Sequence, residues 1–188
     1  MSIEMNQRVY KMRDELNEQW DIPVDTHPGF PEHPKDAISY YNRGLSRDRI
    51  GDKQGALADY NCAIQLDPDR AKAYANRGLL RDRMGDRMGS LADYDRAIAI
   101  EDLSATNYYN RGNVRYRLED KQGALVDFDR AIKLNPHHAK AHYNRGLVRA
   151  SLGDKHGARK DLQTAAELFR QARKDWDYQS TLDKLQEI

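Results

Sequence analysis

The sequence repeats itself every 34 residues. Residues 37–70 read AISYYNRGLSRDRIGDKQGALADYNCAIQLDPDR, residues 71–104 read AKAYANRGLLRDRMGDRMGSLADYDRAIAIEDLS, and residues 105–138 read ATNYYNRGNVRYRLEDKQGALVDFDRAIKLNPHH. Residues 139–172 open with AKAHYNRGLVRASLGDKHGARKDLQTAAEL and then diverge. Four copies in register without an insertion constrain the fold more than any composition does. A unit this short cannot bury its apolar face alone, so the copies must stack on one another to form a core.

Each repeat divides itself into two helices. The first starts at an alanine (Ala37, Ala71, Ala105, Ala139) and runs for about 14 residues, with apolar side chains at helical spacing such as Tyr74, Leu80 and Met84. It stops at Gly51-Asp52, Gly85-Asp86 and Gly153-Asp154, where glycine suits a left-handed helix end and aspartate caps the second helix. The third repeat has Glu119-Asp120 there, which the register of its neighbours still reads as a turn. The second helix carries Ala56, Leu57, Tyr60, Ala63 and Ile64 and their equivalents, and closes at Asp67-Pro68 or Asn135-Pro136. The second repeat has Glu101-Asp102 and no proline at that point. Gly44, Gly78, Gly112 and Gly146 lie mid-helix, where glycine costs about 1 kcal/mol against alanine. A cost repeated four times predicts close approach of the partner helix, with Ala56, Ser90, Ala124 or Ala158 opposite.

These positions resemble the tetratricopeptide repeat family. The resemblance lies in the period, the mid-helix glycine, the small residue opening the second helix, the aromatic after it (Tyr60, Tyr94, Phe128, departing at Leu162), the alanine after that (Ala63, Ala97, Ala131, Ala165) and the closing Pro68 and Pro136. The first-helix aromatic slot holds Tyr40, Tyr74 and Tyr108 and departs at His142. The Asn-Arg-Gly and Asp-Tyr-x-x-Ala-Ile wording is similar to the bacterial, especially cyanobacterial, branch. The resemblance implies an all-α, right-handed superhelical solenoid of antiparallel helix hairpins, with first helices lining a concave groove. It implies an adaptor, assembly or chaperone-linked module and no enzyme. Some relatives clamp the C-terminal carboxylate of a heat-shock chaperone with two asparagines and three basic residues. Here Asn113 and Asn144 fit the asparagine slots, but Tyr109 stands where the first lysine belongs, and the last two basic positions fall beyond the repeats. One repeat earlier, Leu79 takes the first asparagine slot and Asn144 the final arginine, although Asn110 and Lys140 fit. Neither register completes the clamp.

The chain divides into three segments: residues 1–36, the four repeats over 37–172, and residues 173–188. Residues 3–19 can form an amphipathic helix, expected to cap the first repeat, the alternatives being docking on a partner or on the protein itself, and disorder. Four prolines from Asp21 onward then describe a linker. Trp176, Leu182 and Leu185 predict a last helix that caps the stack against solvent.

A side chain present in every repeat serves what every repeat must do. Arg43, Arg77, Arg111 and Arg145 recur, as do Arg47, Arg81, Arg115 and Arg149 one turn on, and Asp59, Asp93, Asp127 and Asp161 on the second helices. An arginine ladder facing a carboxylate ladder predicts intramolecular pairing, and argues against a track for a polyanion. Asn42, Asn76, Asn110 and Asn144 recur at a position that the resemblance turns toward the groove, where amides can bond the backbone of an extended peptide. The other groove positions vary. The back half gathers Tyr109, Asn113, Tyr116, Arg117, Lys140 and Tyr143, a candidate pocket for a peptide's aromatic or acidic group.

Catalytic signals are sparse. His138 and His142 lie at i,i+4 but lack further ligands, and are read, like His137, as exposed residues of an inter-repeat turn. Cys62, the single cysteine, is read as a solvent-side or half-buried free thiol. No phosphate loop, HExxH or nucleophile elbow is present. A formal net charge of +1 is far from that of a nucleic-acid binder. Residues 1–36 carry 4 basic and 8 acidic side chains, whereas residues 139–172 carry 7 and 3, so the back of the repeats is the basic end. With no apolar run long enough for a membrane span and no signal-peptide pattern, the chain is expected to be cytoplasmic. The sequence therefore predicts a non-catalytic scaffold without cofactor or metal, holding a peptide segment of a partner protein in its groove, in complex assembly. The alternatives are a self-associating structural unit, forming homo-oligomers, and an accessory subunit of an enzyme complex.

Overall fold

A computed structural model describes residues 34–188. The expected front helix and most of the proline-rich linker lie outside the described residues. Among the described residues all regular structure is helical: α1 (Ala37–Ile50), α2 (Lys53–Leu66), α3 (Ala71–Arg83), α4 (Arg87–Ile100), α5 (Ala105–Arg117), α6 (Lys121–Leu134), α7 (Ala139–Ser151), α8 (Lys155–Gln171) and α9 (Asp175–Glu187). The helices start at the four alanines and stop at the turns that the repeat pattern marks. The chain forms two compact units divided between Gly85 and Asp86. In the first, α1 packs on α2 and both contact α3. In the second, each helix from α4 to α9 packs on the next, and α5 also meets α7.

Local chemistry sets the helix ends. The aspartates after the turns cap the second helices: the backbone N–H groups of Gly55, Gly89, Gly123 and Gly157 donate to Asp52, Asp86, Asp120 and Asp154 at 2.8–2.9 Å. Gly51 ends α1 at φ 88°, a left-handed conformation that glycine adopts at no steric cost. Glu119 adopts the same region at φ 62°, so the third repeat keeps the turn at the expense of backbone strain.

Packing against the second helix explains the mid-helix glycines. A Cβ on Gly44 would lie 2.8 Å from the Tyr60 ring, and one on Gly112 2.8 Å from the Phe128 ring. The glycine thus makes room for the second-helix aromatic, and in the fourth repeat, where Leu162 stands in that slot, a Cβ on Gly146 would also lie 3.2 Å from the Ala158 carbonyl. In the first unit, Ala56 and Tyr60 pack with Leu80. In the second, Ala124, Phe128 and Val148 do the same across α6 and α7.

The charged ladders pair inside each unit. Arg43 grips Asp59 with two bonds, Nε to Oδ2 at 2.9 Å and Nη2 to Oδ1 at 2.7 Å, and Arg47 adds Nη1 to Oδ2 at 3.0 Å. Arg111 and Arg115 hold Asp127 in the same way, and Arg145 and Arg149 hold Asp161. Asp59 and Asp127 are wholly buried. Burial alone would lower the Arg43 pKa, but its bond to Asp59 raises it, while burial raises the Asp59 carboxyl against the opposing pull of Arg43 and Arg47.

Three expectations change. Cys62 is buried, 4% exposed, against Tyr40, Ala63 and Ala73, and burial pushes its thiol up to about 11. His142 is no exposed turn residue: it is 8% exposed, with Nε2 3.0 Å from the Pro136 carbonyl and Nδ1 facing Asp161 at 3.7 Å. Trp176 does not close the stack. It is 80% exposed, and the wholly buried residue of α9 is Thr181, whose hydroxyl donates to the Asp177 carbonyl at 2.6 Å.

Asp59→Ala removes the buried carboxylate that Arg43 and Arg47 share and is expected to cost about 3–5 kcal/mol in urea denaturation. Asp95→Ala removes an Arg111 partner that is 51% exposed, and is expected to cost about 1 kcal/mol or less. Equal losses would contradict this assignment of the ladder. Glu119→Gly relieves the left-handed turn and is expected to raise the denaturation midpoint by the equivalent of about 1 kcal/mol.

Candidate functional site

In the second unit the varying residues of α5 and α7 come together. The hinge of this surface is Asn144, whose Nδ2 donates to Asn113 Oδ1 at 2.6 Å and lies 3.4 Å from the Tyr109 hydroxyl. Accepting through Oδ1 leaves the Asn113 N–H2 as a donor. Asn144 lines two cavities. One, of about 250 Å³, is walled by Asn113, Tyr116, Arg117 and Leu147 over Phe128 and Val148. The other, of about 220 Å³, lies between α7 and α9, and Tyr109, Lys140, Tyr143, Phe169 and Trp176 are among its walls.

Seven of the ten predicted groove residues therefore line these two cavities: Tyr109, Asn113, Tyr116, Arg117, Lys140, Tyr143 and Asn144. Asn110 is half-buried on α5 and lines neither. Asn42 and Asn76 lie in the first unit. Asn42 is exposed, and Asn76 donates to the Tyr41 hydroxyl at 2.9 Å. The asparagine row thus performs a structural task as well, since Asn76 and Asn144 each reach the tyrosine of the preceding first helix.

The residues that sequence reasoning missed come from α8 and α9, namely Phe169, Trp176, Asp177, Ser180 and Thr181. A signal was present: 34 residues beyond His142 the first-helix aromatic slot falls on Trp176. In the earlier repeats this slot is covered, with Arg43 over the Tyr40 ring and Arg111 and Arg130 over Tyr108, at 5.4–5.6 Å. No paired second helix covers α9 among the described residues, and the indole stays open.

Electrostatics around the site derive from its caps. His138 is the N-cap of α7: its Nδ1 accepts the Ala141 N–H at 3.2 Å, and its ring lies 4.7 Å from that of Tyr109. Burial lowers the His138 pKa, with Lys140 and His142 adding in the same direction. Deeper in, burial presses Asp161 toward its neutral form, but the contacts of His142, Arg145 and Arg149 outweigh it and hold the carboxyl below its usual range. Among the described residues no cluster of His, Cys, Asp or Glu is able to hold a metal ion, and no helix is long and apolar enough to cross a membrane.

Comparison with known proteins agrees with this geometry. The tetratricopeptide repeat family matches residues 37–70, 105–138 and 139–171, more than half of the sequence. The chain belongs to the tetratricopeptide repeat family. Its fold class is accordingly the all-α solenoid of that family. Similar solved structures include MamA, with a TM-score of 0.67 at 21% identity over 80% of this chain and 90% of that one. MamA residues 41-end from Desulfovibrio magneticus RS-1 give 0.67 at 20% identity over 89% and 93%. The first repeat domain of Spaghetti (RPAP3), bound to the HSP90 peptide SRMEEVD, gives 0.62 at 21% identity over 64% and 96%. At these identities the likeness is one of fold. No curated protein matches the sequence.

A His138 with a lowered pKa contributes stability that is present above its unfolded value near 6.5 and is lost as pH falls toward its folded value. Protonation also removes the lone pair that caps α7. Wild type is therefore expected to lose stability relative to His138→Asn, which keeps a capping oxygen, by about 1 kcal/mol between pH 7.5 and 5. A difference that stays constant across this range in parallel thermal melts would contradict the cap's role.

Proposed function

We propose that the protein is a non-catalytic interaction scaffold that holds an extended segment of a partner protein along α5 and α7 of its second unit, in the assembly of a complex. The observation that carries this reading is the pair of adjoining cavities sharing Asn144 as their common wall. Adjacent pockets separated by an amide suit a chain that seats alternate side chains and bonds its backbone to the amide between them. Family membership supports the class of function. The Spaghetti domain with its bound peptide supports a groove of this geometry as a place for an extended segment.

The residues disfavour one specific partner. Tyr109 occupies the slot of a clamp lysine and packs at a tilt against His138, so a chaperone C-terminal carboxylate lacks that contact here. A catalytic role finds no support in the site either: beside its amides, tyrosines and two cations stand Asp177, Ser180 and Thr181, and the Thr181 hydroxyl is bonded to the Asp177 backbone carbonyl, not to a base.

The test is affinity capture of partners by the full chain, comparing wild type with Tyr109→Ala/Asn113→Ala/Arg117→Ala at unchanged helicity. A partner retained by wild type and reduced at least tenfold by the variant is expected. Equal capture by both would contradict the site. Concentration-dependent oligomers with no retained partner would favour the self-association reading.

A further inference from the structure

The cavity between α7 and α9 has features that an extended backbone alone does not use. Its walls are aromatic on four helices: Tyr109 from α5, Tyr143 from α7, Trp176 from α9 and Phe169 from α8, the last at 3% exposure. At about 220 Å³ it is smaller than the roughly 300–1,000 Å³ of small-molecule sites, and matches a single large side chain. Trp176 stands 80% exposed at its edge. An indole left in water beside an aromatic hollow is the residue type that dominates binding energy once a partner covers it.

Charge selects what surrounds that side chain. Residues 139–172 have 7 basic side chains and only 3 acidic ones, Asp154, Asp161 and Glu167. Each of the three is engaged: Asp154 caps α8, Asp161 is held by Arg145 and Arg149, and Glu167 pairs with Arg170. Lys140 lines the cavity, is exposed, and forms no salt bridge with the described residues. The carboxylate that also lines it, Asp177, belongs to the first turn of α9, where the helix N-terminus favours negative charge. The Lys140 ammonium at the rim therefore complements an anionic neighbour of the inserted group.

We infer that this cavity is the anchor pocket of the groove, seating a tryptophan, phenylalanine or tyrosine side chain of a partner protein whose adjoining residue is aspartate or glutamate paired with Lys140. The inference rests on the groove reading above and names what one end of that groove selects. It sets both the direction of the bound segment and its specificity, because the neighbouring cavity sets Arg117 and the Asn113 amide beside only two aromatic rings, Tyr116 and Phe128, where this one has four.

The test is selection of a random dodecapeptide display library on the immobilised full-length protein, followed by fluorescence anisotropy of a labelled consensus peptide. Expected is a consensus with one aromatic residue and an acidic residue within two positions of it. Trp176→Ala and Lys140→Glu, both at exposed positions and checked for unchanged helicity, should each weaken the consensus peptide at least tenfold. A peptide with its acidic residue changed to lysine should recover affinity for Lys140→Glu. No enrichment, a consensus without aromatics, a lysine- or arginine-based consensus, or unchanged binding to both variants would overturn the inference. If Tyr116→Ala and Arg117→Ala weaken binding while the cavity variants do not, the groove stands and the anchor pocket falls. If none of the four variants weakens binding, both fall.

Discussion

One buried carboxylate held by two arginines underlies the rest of the structure. The aspartate of a second helix, Asp59, Asp127 or Asp161, meets arginines placed 16 and 12 residues before it, one turn apart on the first helix. Three charges brought out of water have little net value for stability, but a great deal for register, since any slip of one helix leaves them unpaired. The first arginine reaches further in the second unit. Arg111 also bonds Asp95, and Arg145 bonds Asp129, both on the preceding second helix. In the first unit Arg77 makes the equivalent bond to Asn61. One side chain therefore fixes the hairpin and ties it to its predecessor.

This arrangement determines which surface is free to carry function. Glycine, the aromatic behind it, the small residue at the second-helix start and the arginine–carboxylate triad consume the faces that must be identical in every copy. The remaining positions of the first helices are under no such demand. On α5 and α7 they become Tyr109, Asn113, Tyr116, Arg117, Lys140 and Tyr143, and the same positions on α1 and α3 include Tyr41, Leu45, Asp48 and Arg83. There Asp48 pairs with Arg83. In the second unit Asn144 bonds Asn113, and two cavities open on either side of it.

The helix boundaries, the aspartate caps and the charged ladder were legible in the sequence because they repeat, and repetition exposes a common physical cause. What escaped was decided by departures from the repeat. Cys62 stands where Arg96 and Arg130 stand, and only its contact with Tyr40 and Ala73 shows that a small thiol is drawn into the core there. His142 replaces a tyrosine, yet stays inside, its Nε2 bonded to the Pro136 carbonyl and its Nδ1 facing the Asp161 carboxylate at 3.7 Å. Trp176 has the spacing of a core aromatic but not the covering side chains, so hydrophobicity alone placed it wrongly. Most of the candidate site on α5 and α7 was legible from variability among the repeats. Its wall on α8 and α9 was not, because the repeat pattern has dissolved by then.

The central claim is that partners are held on the first helices of the second unit. Hydrogen–deuterium exchange on the full chain, with and without a captured partner segment bound, tests it most directly. The account predicts added protection within residues 105–117, 139–151 and 175–187, and little change in residues 121–134. Protection concentrated on residues 121–134 and 155–171, with the first helices unchanged, would place the partner on the opposite face and contradict it.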